Sequence, residues 1–302
     1  MIVNASWSDY WADLDAELSA VPVSMHSRRD PVRSTPDFEF WEITMSSVGH
    51  RGSGHHRIAG FLSVPTAPGP HPGLLELPRH GSVNHTPHSN ERERYVVLTV
   101  MHRGQRLADA SYRAPYPGAL LAGAEDPAEY LGRGIVADGL RGLEVLCSHP
   151  AVDRDRVGLV GDDIAVLVAA RGPQVAAVRV DRLHLTRAWE RARSTGSYPL
   201  QEINDLRRHR PEAAEAVRRT LTLFEPEAHA PSVSAPTLVC LDDGDLAAGS
   251  GLLEALGAGD RLRVSHQDRL DDDARDAWLA ARLGVDARSR FLEAALALPG
   301  ER

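Results

Sequence analysis

Residues 157–167 read VGLVGDDIAVL: small and apolar positions alternate up to Gly161, an acidic pair interrupts them, and an Ala-rich apolar run continues to Arg171-Gly172-Pro173. This pattern predicts a strand, a sharp turn and a helix. Gly161 and Ala165 flank Asp163 at two positions either side, the spacing that lets strand and helix close around a strained tip residue in a nucleophile elbow. Upstream, residues 8–18 (SDYWADLDAEL) set an N-cap serine ahead of aromatic and Leu positions at helical spacing, which predicts an amphipathic helix. Residues 38–46 and 57–64 (FEFWEITMS, RIAGFLSV) carry alternating bulky residues around HRGSGHH, the pattern of a β-hairpin with a loose tip. LLELP from Leu74 predicts a strand, and the continuous apolar run YVVLTV from Tyr95 a strand covered on both faces.

Residues 106–127, rich in Pro, Tyr and Gly, form a long loop of the kind that serves binding or assembly. Leu131, Ile135, Val136, Leu140, Leu143 and Leu146 share one helical face of 130–148, a crossover helix leading to the elbow strand. VAAVRV from Val175, TLVCLD from Thr237 and RLRVSH from Arg261 are further strands, and the more polar residues 183–224 read as a helical insertion. This alternation predicts a single α/β domain over residues 1–302, with a doubly wound, mostly parallel sheet and an N-terminal antiparallel hairpin.

A formal net charge of −8 disfavours nucleic acid as a partner and leaves a small molecule as the expected one. The N-terminus lacks a basic region followed by a long apolar run, and no apolar stretch reaches the ~20 residues of a membrane span, so a cytoplasmic protein without membrane contact is expected. Cys147 and Cys240 are expected to be free thiols. The His-rich loops, including His50, His55, His56, His80, His85 and His88, lack metal-ligand spacing, so neither metal nor cofactor is expected.

In a doubly wound sheet ligands bind beyond the carboxyl ends of the strands. Three such ends carry Asp163, Asp245 in LDDGD and His266 in RVSHQ, in the chain order nucleophile, acid, histidine. The carboxylate of Asp245 would fix the His266 tautomer and stabilise its imidazolium. Each residue also has a plainer role available: a helix N-cap for Asp163, a turn former for Asp245, a polar strand end for His266. Asp162 is assigned to capping or the surface. Position after earlier strands suggests Ser82 and Gln105 as backbone oxyanion donors, with His102 and Arg103 supplying charge nearby.

At these residues the chain resembles the carbohydrate esterase family of acetyl xylan esterases and cephalosporin C deacetylases. SDYW, IAGFLSVP, His80-Gly81, Arg103-Gly104-Gln105, DPAEYLGRGIVADGLRGLEVL, RVGLVGDD, YPLQEIND and the late aspartate and histidine carry the likeness in order. The resemblance implies an α/β-hydrolase fold, cofactor-free removal of acetyl groups by a serine nucleophile, and a homo-oligomer, often a hexameric ring built from trimers. The sequence departs from the family pattern where Asp163 occupies the serine position, Ser82 that of an aromatic residue and Gln267 that of a glutamate. An aspartate attacking an acetyl ester would give a mixed anhydride in a site that must accept negative charge. Three readings follow: a hydrolase of small esters with an atypical Asp163-Asp245-His266 triad, an Asp-nucleophile hydrolase of the dehalogenase or epoxide hydrolase type, and a catalytically lapsed relative that binds a ligand or partner.

Overall fold

The structure, a computed structural model, describes residues 7–49, 54–80, 89–103 and 120–291. A nine-stranded sheet forms its centre: β1 His26–Arg29, β2 Phe38–Val48, β3 His55–Pro65, β4 His71–Glu76, β5 Val96–Val100, β6 Val152–Gly161, β7 Ala177–Val180, β8 Thr237–Leu241 and β9 Gly259–Arg263. Their order is β1-β2-β3-β5-β4-β6-β7-β8-β9. Strands β1, β2, β3 and β5 pair antiparallel in succession, and every pairing from β5 through β4 to β9 is parallel. This is the α/β-hydrolase order, with the hairpin of β2 and β3 at its N-terminal side.

Side chains alternate between the sheet's faces with a period of two. Val96, Leu98 and Val100 enter the larger core on one face, while Tyr95 and Val97 enter a smaller cluster on the other. The helices are α1 Trp7–Ala20, α2 Ser89–Arg92, α3 Leu131–Ser148, α4 Ile164–Arg171, α5 Ala188–Arg191, α6 Gln201–His209, α7 Ala214–Leu223, α8 Pro226–His229, α9 Leu246–Leu256 and α10 Asp268–Leu283. Helices α3, α4 and α9 cover the larger core, and Leu279 and Leu283 of α10 the smaller one. The stretch read as a helical insertion holds α5, α6 and α7, with α8 following it. Cys147 and Cys240 are free thiols. Among the described residues no helix is long and apolar enough to cross a membrane.

Strand β1 and the one-turn helices α2 and α8 escape the hydrophobic pattern. Strand β1 (HSRR) is fully exposed at a sheet edge, where Arg28 and Arg29 pair with Glu42 and Glu39 instead of burying apolar groups. Helix α2 is a single turn, too short to show a period. The Arg103 side chain, expected to supply charge near the site, is instead buried against Asp138 of α3, with two contacts of 2.7 Å, and also donates to the carbonyl oxygen of Val48 at 2.8 Å. That bidentate pair joins Arg103 to the crossover helix. The adjacent His102 is buried as well, and burial lowers its pKa.

Candidate functional site

The elbow lies where expected, with a different local geometry. Strand β6 ends at Gly161, where an added Cβ would sit 3.0 Å from that of Leu77, so the strand approaches its neighbour closely and any larger residue would press on Leu77. Asp163 has φ −61° and ψ −10°, ordinary right-handed helical backbone, and no strained tip is present. The positive-φ residues other than glycine among the described ones are Arg187 and His266.

The cause is visible in the carboxylate's partners. Asp163 is 0% exposed, and its Oδ2 accepts the backbone N–H groups of His184, Leu185 and Thr186 at 3.0, 2.8 and 2.7 Å, and the Thr186 hydroxyl at 2.8 Å. The backbone supports the same link: Asp163 N–H donates to the Arg182 carbonyl, and Asp181 N–H to that of Gly161. Asp163 therefore binds the turn that follows β7, a charge-assisted arrangement that a serine hydroxyl could not reproduce.

The expected triad is not assembled. Asp245 is half-buried and pairs with Arg191, whose other amino group donates to the carbonyl oxygens of Leu183 and Thr186, each at 3.1 Å. Burial raises the Asp245 pKa, against the opposing charge of Arg191. His266 is exposed, with φ 59°, between Ser265 and Gln267. Ser265 donates through both N–H and hydroxyl to Asp271 at 2.8 Å, which sets the turn into α10. His266 and Asp245 line a cavity of about 380 Å³ beyond β7, β8 and β9, whereas Asp163 lines a separate one of about 40 Å³ beyond β4, β6 and β7. The 183–186 turn is tied both to Asp163, which accepts its N–H groups, and to Arg191, the partner of Asp245. Ser82 and Gln105 lie outside the described residues.

The smaller cavity gathers residues that sequence reasoning passed over. Its walls are Pro78, Leu120, Tyr130, Gly132, Ile135, Ile164 and Leu185, and its polar groups come from His80, Asp162, Asp163 and His184. Asp162, read from sequence as a cap or surface residue, is 4% exposed. Its Oδ2 accepts the His80 backbone N–H at 3.0 Å and lies 3.4 Å from Nδ1 of His184, in contact without hydrogen-bond alignment. Burial raises the Asp162 pKa, and the adjacent Asp163 charge adds to this against the pull of His184. The His80 and His184 rings meet edge to face at 5.2 Å. Behind His80, Glu202 of α6 accepts the backbone N–H groups of Leu120 and Leu121 at 3.3 and 3.1 Å, and lies 3.7 Å from His80 Nε2. A usable signal existed for His184: it lies in the loop after strand β7, four residues past Val180, at the sheet's carboxyl edge.

No group of three or more His, Cys, Asp or Glu side chains among the described residues is arranged to hold a metal ion. The arrangement offers an imidazole backed by a carboxylate at the mouth of an apolar recess, the pairing that general-base chemistry uses.

Residues 3–245 match the family model described as acetyl xylan esterase. Among solved structures, an acetyl xylan esterase from a Paenibacillus species superimposes with a TM-score of 0.76 at 20% identity, covering 93% of this chain and 96% of that one. Acetyl xylan esterase 1 from a Thermoanaerobacterium species gives 0.69 at 20% identity, with 85% of each chain covered. A glucuronoyl esterase from Teredinibacter turnerae gives 0.52 at 12% identity, covering 93% of this chain and 86% of that one.

Proposed function

Because this chain belongs to the acetyl xylan esterase family and is an esterase-type α/β-hydrolase, a carboxylic ester hydrolase by class, we propose that it cleaves small acyl esters by direct attack of water, with His184 as general base and Asp162 as its supporting carboxylate. The observation that carries this reading is the 3.4 Å contact of His184 with Asp162 inside the elbow cavity. His184 takes a proton from water as the water oxygen attacks the acyl carbon, Asp162 stabilises the resulting imidazolium, and the proton then passes to the departing alkoxide. Ser82 and Gln105 remain the proposed oxyanion donors by chain position. No acyl-enzyme forms on this route.

The test is hydrolysis of 4-nitrophenyl acetate. His184→Ala and Asp162→Asn are expected to lose roughly 10²- to 10⁴-fold in kcat, the range of general-base assistance. His266→Ala should keep its rate, and the wild type should show no burst of 4-nitrophenol. A burst, or a loss with His266→Ala equal to that with His184→Ala, overturns the assignment.

A second reading has its own support. Asp163 Oδ1 is buried without a partner while Oδ2 is anchored by four donors, the state in which a carboxylate can displace a leaving group at sp³ carbon. Incubation with a small alkyl halide or epoxide and intact-mass measurement distinguishes this route, which requires an alkyl adduct on Asp163. If ester, halide and epoxide all fail to react, the chain is an esterase-derived binding protein.

A further inference from the structure

Two carboxylate oxygens at the elbow are buried and accept no hydrogen bond: Asp162 Oδ1 and Asp163 Oδ1. In each case Oδ2 is committed elsewhere, to the His80 N–H for Asp162 and to the 184–186 turn for Asp163. The two residues are 4% and 0% exposed and line the same cavity of about 40 Å³. Carboxylate oxygens withdrawn from water are strongly destabilised unless a cation or a donor meets them. Of the guanidinium groups near Asp162, Arg79 lies against Asp181 at 3.5 Å. The described residues provide no set of three or more metal ligands, and apart from the His80 and His184 imidazoles, the latter set against Asp162 Oδ2, the rest of the wall is apolar. These surroundings favour an organic cation with a short hydrocarbon stem over a metal ion. A primary ammonium has three N–H donors in a compact head, enough for both oxygens at once.

We propose that the elbow cavity recognises a small primary ammonium group, which donates to Asp162 Oδ1 and Asp163 Oδ1 with its alkyl stem against Tyr130, Ile135 and Leu185, so that the esters cleaved here carry a protonated amine. The last clause rests on the hydrolase reading; the binding site itself does not. The inference also removes an electrostatic difficulty of that reading. An oxyanion developing beside two carboxylates is opposed by their charge, and a cation held between them offsets it.

The probe is ethylammonium chloride, titrated calorimetrically into the full chain, with ethanol and sodium chloride as controls. Saturable one-to-one binding is expected for ethylammonium alone, and Asp162→Asn should weaken it at least about tenfold, as loss of a hydrogen bond to a charged group does. The asparagine can still accept the His80 N–H, so this variant should remain folded; a thermal melt of each variant verifies that. Absence of saturable binding, equal affinity in folded Asp162→Asn, or the same response to ethanol or sodium chloride overturns the inference. Ammonium binding without hydrolysis of any ester overturns the hydrolase reading and upholds the site. Hydrolysis of 4-nitrophenyl acetate without ammonium binding does the reverse.

Discussion

Asp163, at the centre of the Gly161-to-Ala165 turn, does structural work. Its Oδ2 satisfies three backbone N–H groups and a hydroxyl that would otherwise be buried without an acceptor. Asp163→Ser removes that acceptor, and a serine hydroxyl in the same helical backbone is too short to replace it. A loss of about 3 kcal/mol or more is expected, since each orphaned buried donor costs about 1–3 kcal/mol. Urea unfolding checks it through a lower midpoint at unchanged slope. Asp163→Asn retains an acceptor oxygen and should lose much less. A serine variant of unchanged stability would show that the turn does not depend on this carboxylate. The elbow's position was legible because Gly161, Asp163 and Ala165 are close in sequence. The direction of the side chain was not, because it depends on donors about twenty residues downstream.

At the scale of elements, periodicity succeeded where a long face packs against the core. The apolar face of α3 and the alternation in β2 and β3 placed those elements within one or two residues. It failed for β1, which is held by paired edge charges, and for the single turn of α2. The contact between α1 and the 224–229 segment was also invisible, because it joins distant aromatic groups: Trp11 meets Phe224 at 4.9 Å and His229 at 5.0 Å, and Trp7 meets His229 at 4.9 Å. His229 is 1% exposed, and burial pushes its pKa down to about 4 from an ordinary 6.5. The unfolded chain therefore binds this proton more readily than the folded one. The contribution is full above pH 6.5 and is lost as pH falls through about 4, by an amount on the order of 3 kcal/mol. Replacing His229 by Gln should flatten that part of the stability profile between pH 6.5 and 4, as read from urea midpoints. An unchanged slope would mean that other groups govern it.

On the scale of the whole molecule, the carboxyl edge of the sheet holds two cavities with separate linings, and the 183–186 turn is bonded to a residue of the smaller, Asp163, and to Arg191, the partner of Asp245 in the larger. The strand segments, and with them the positions of most strand ends, were readable from the apolar patterns. The grouping of His80, Asp162 and His184 was not, since it depends on how that turn and Glu202 close over β4, β6 and β7. Glu202 links the parts most widely, joining α6 to the Leu120 and Leu121 backbone and to the His80 side of the smaller cavity. Burial pushes its carboxyl up to about 7 from 4.5, against the two N–H groups it accepts. A raised folded-state pKa means that the folded chain holds this proton where the unfolded one releases it. The resulting stability is fully present below pH 4.5 and is lost as pH rises through about 7. This runs opposite to the His229 contribution, so the wild-type profile should be shallower than either component alone. Glu202→Gln isolates the Glu202 part: the variant lacks the decline between pH 4.5 and 7, so wild-type stability relative to it should fall steadily across that interval. Paired urea titrations at pH 4.5, 5.5, 6.5 and 7.5 measure this difference, and a constant or rising difference would mean that Glu202 is charged throughout and acts as a fixed clamp on Leu120.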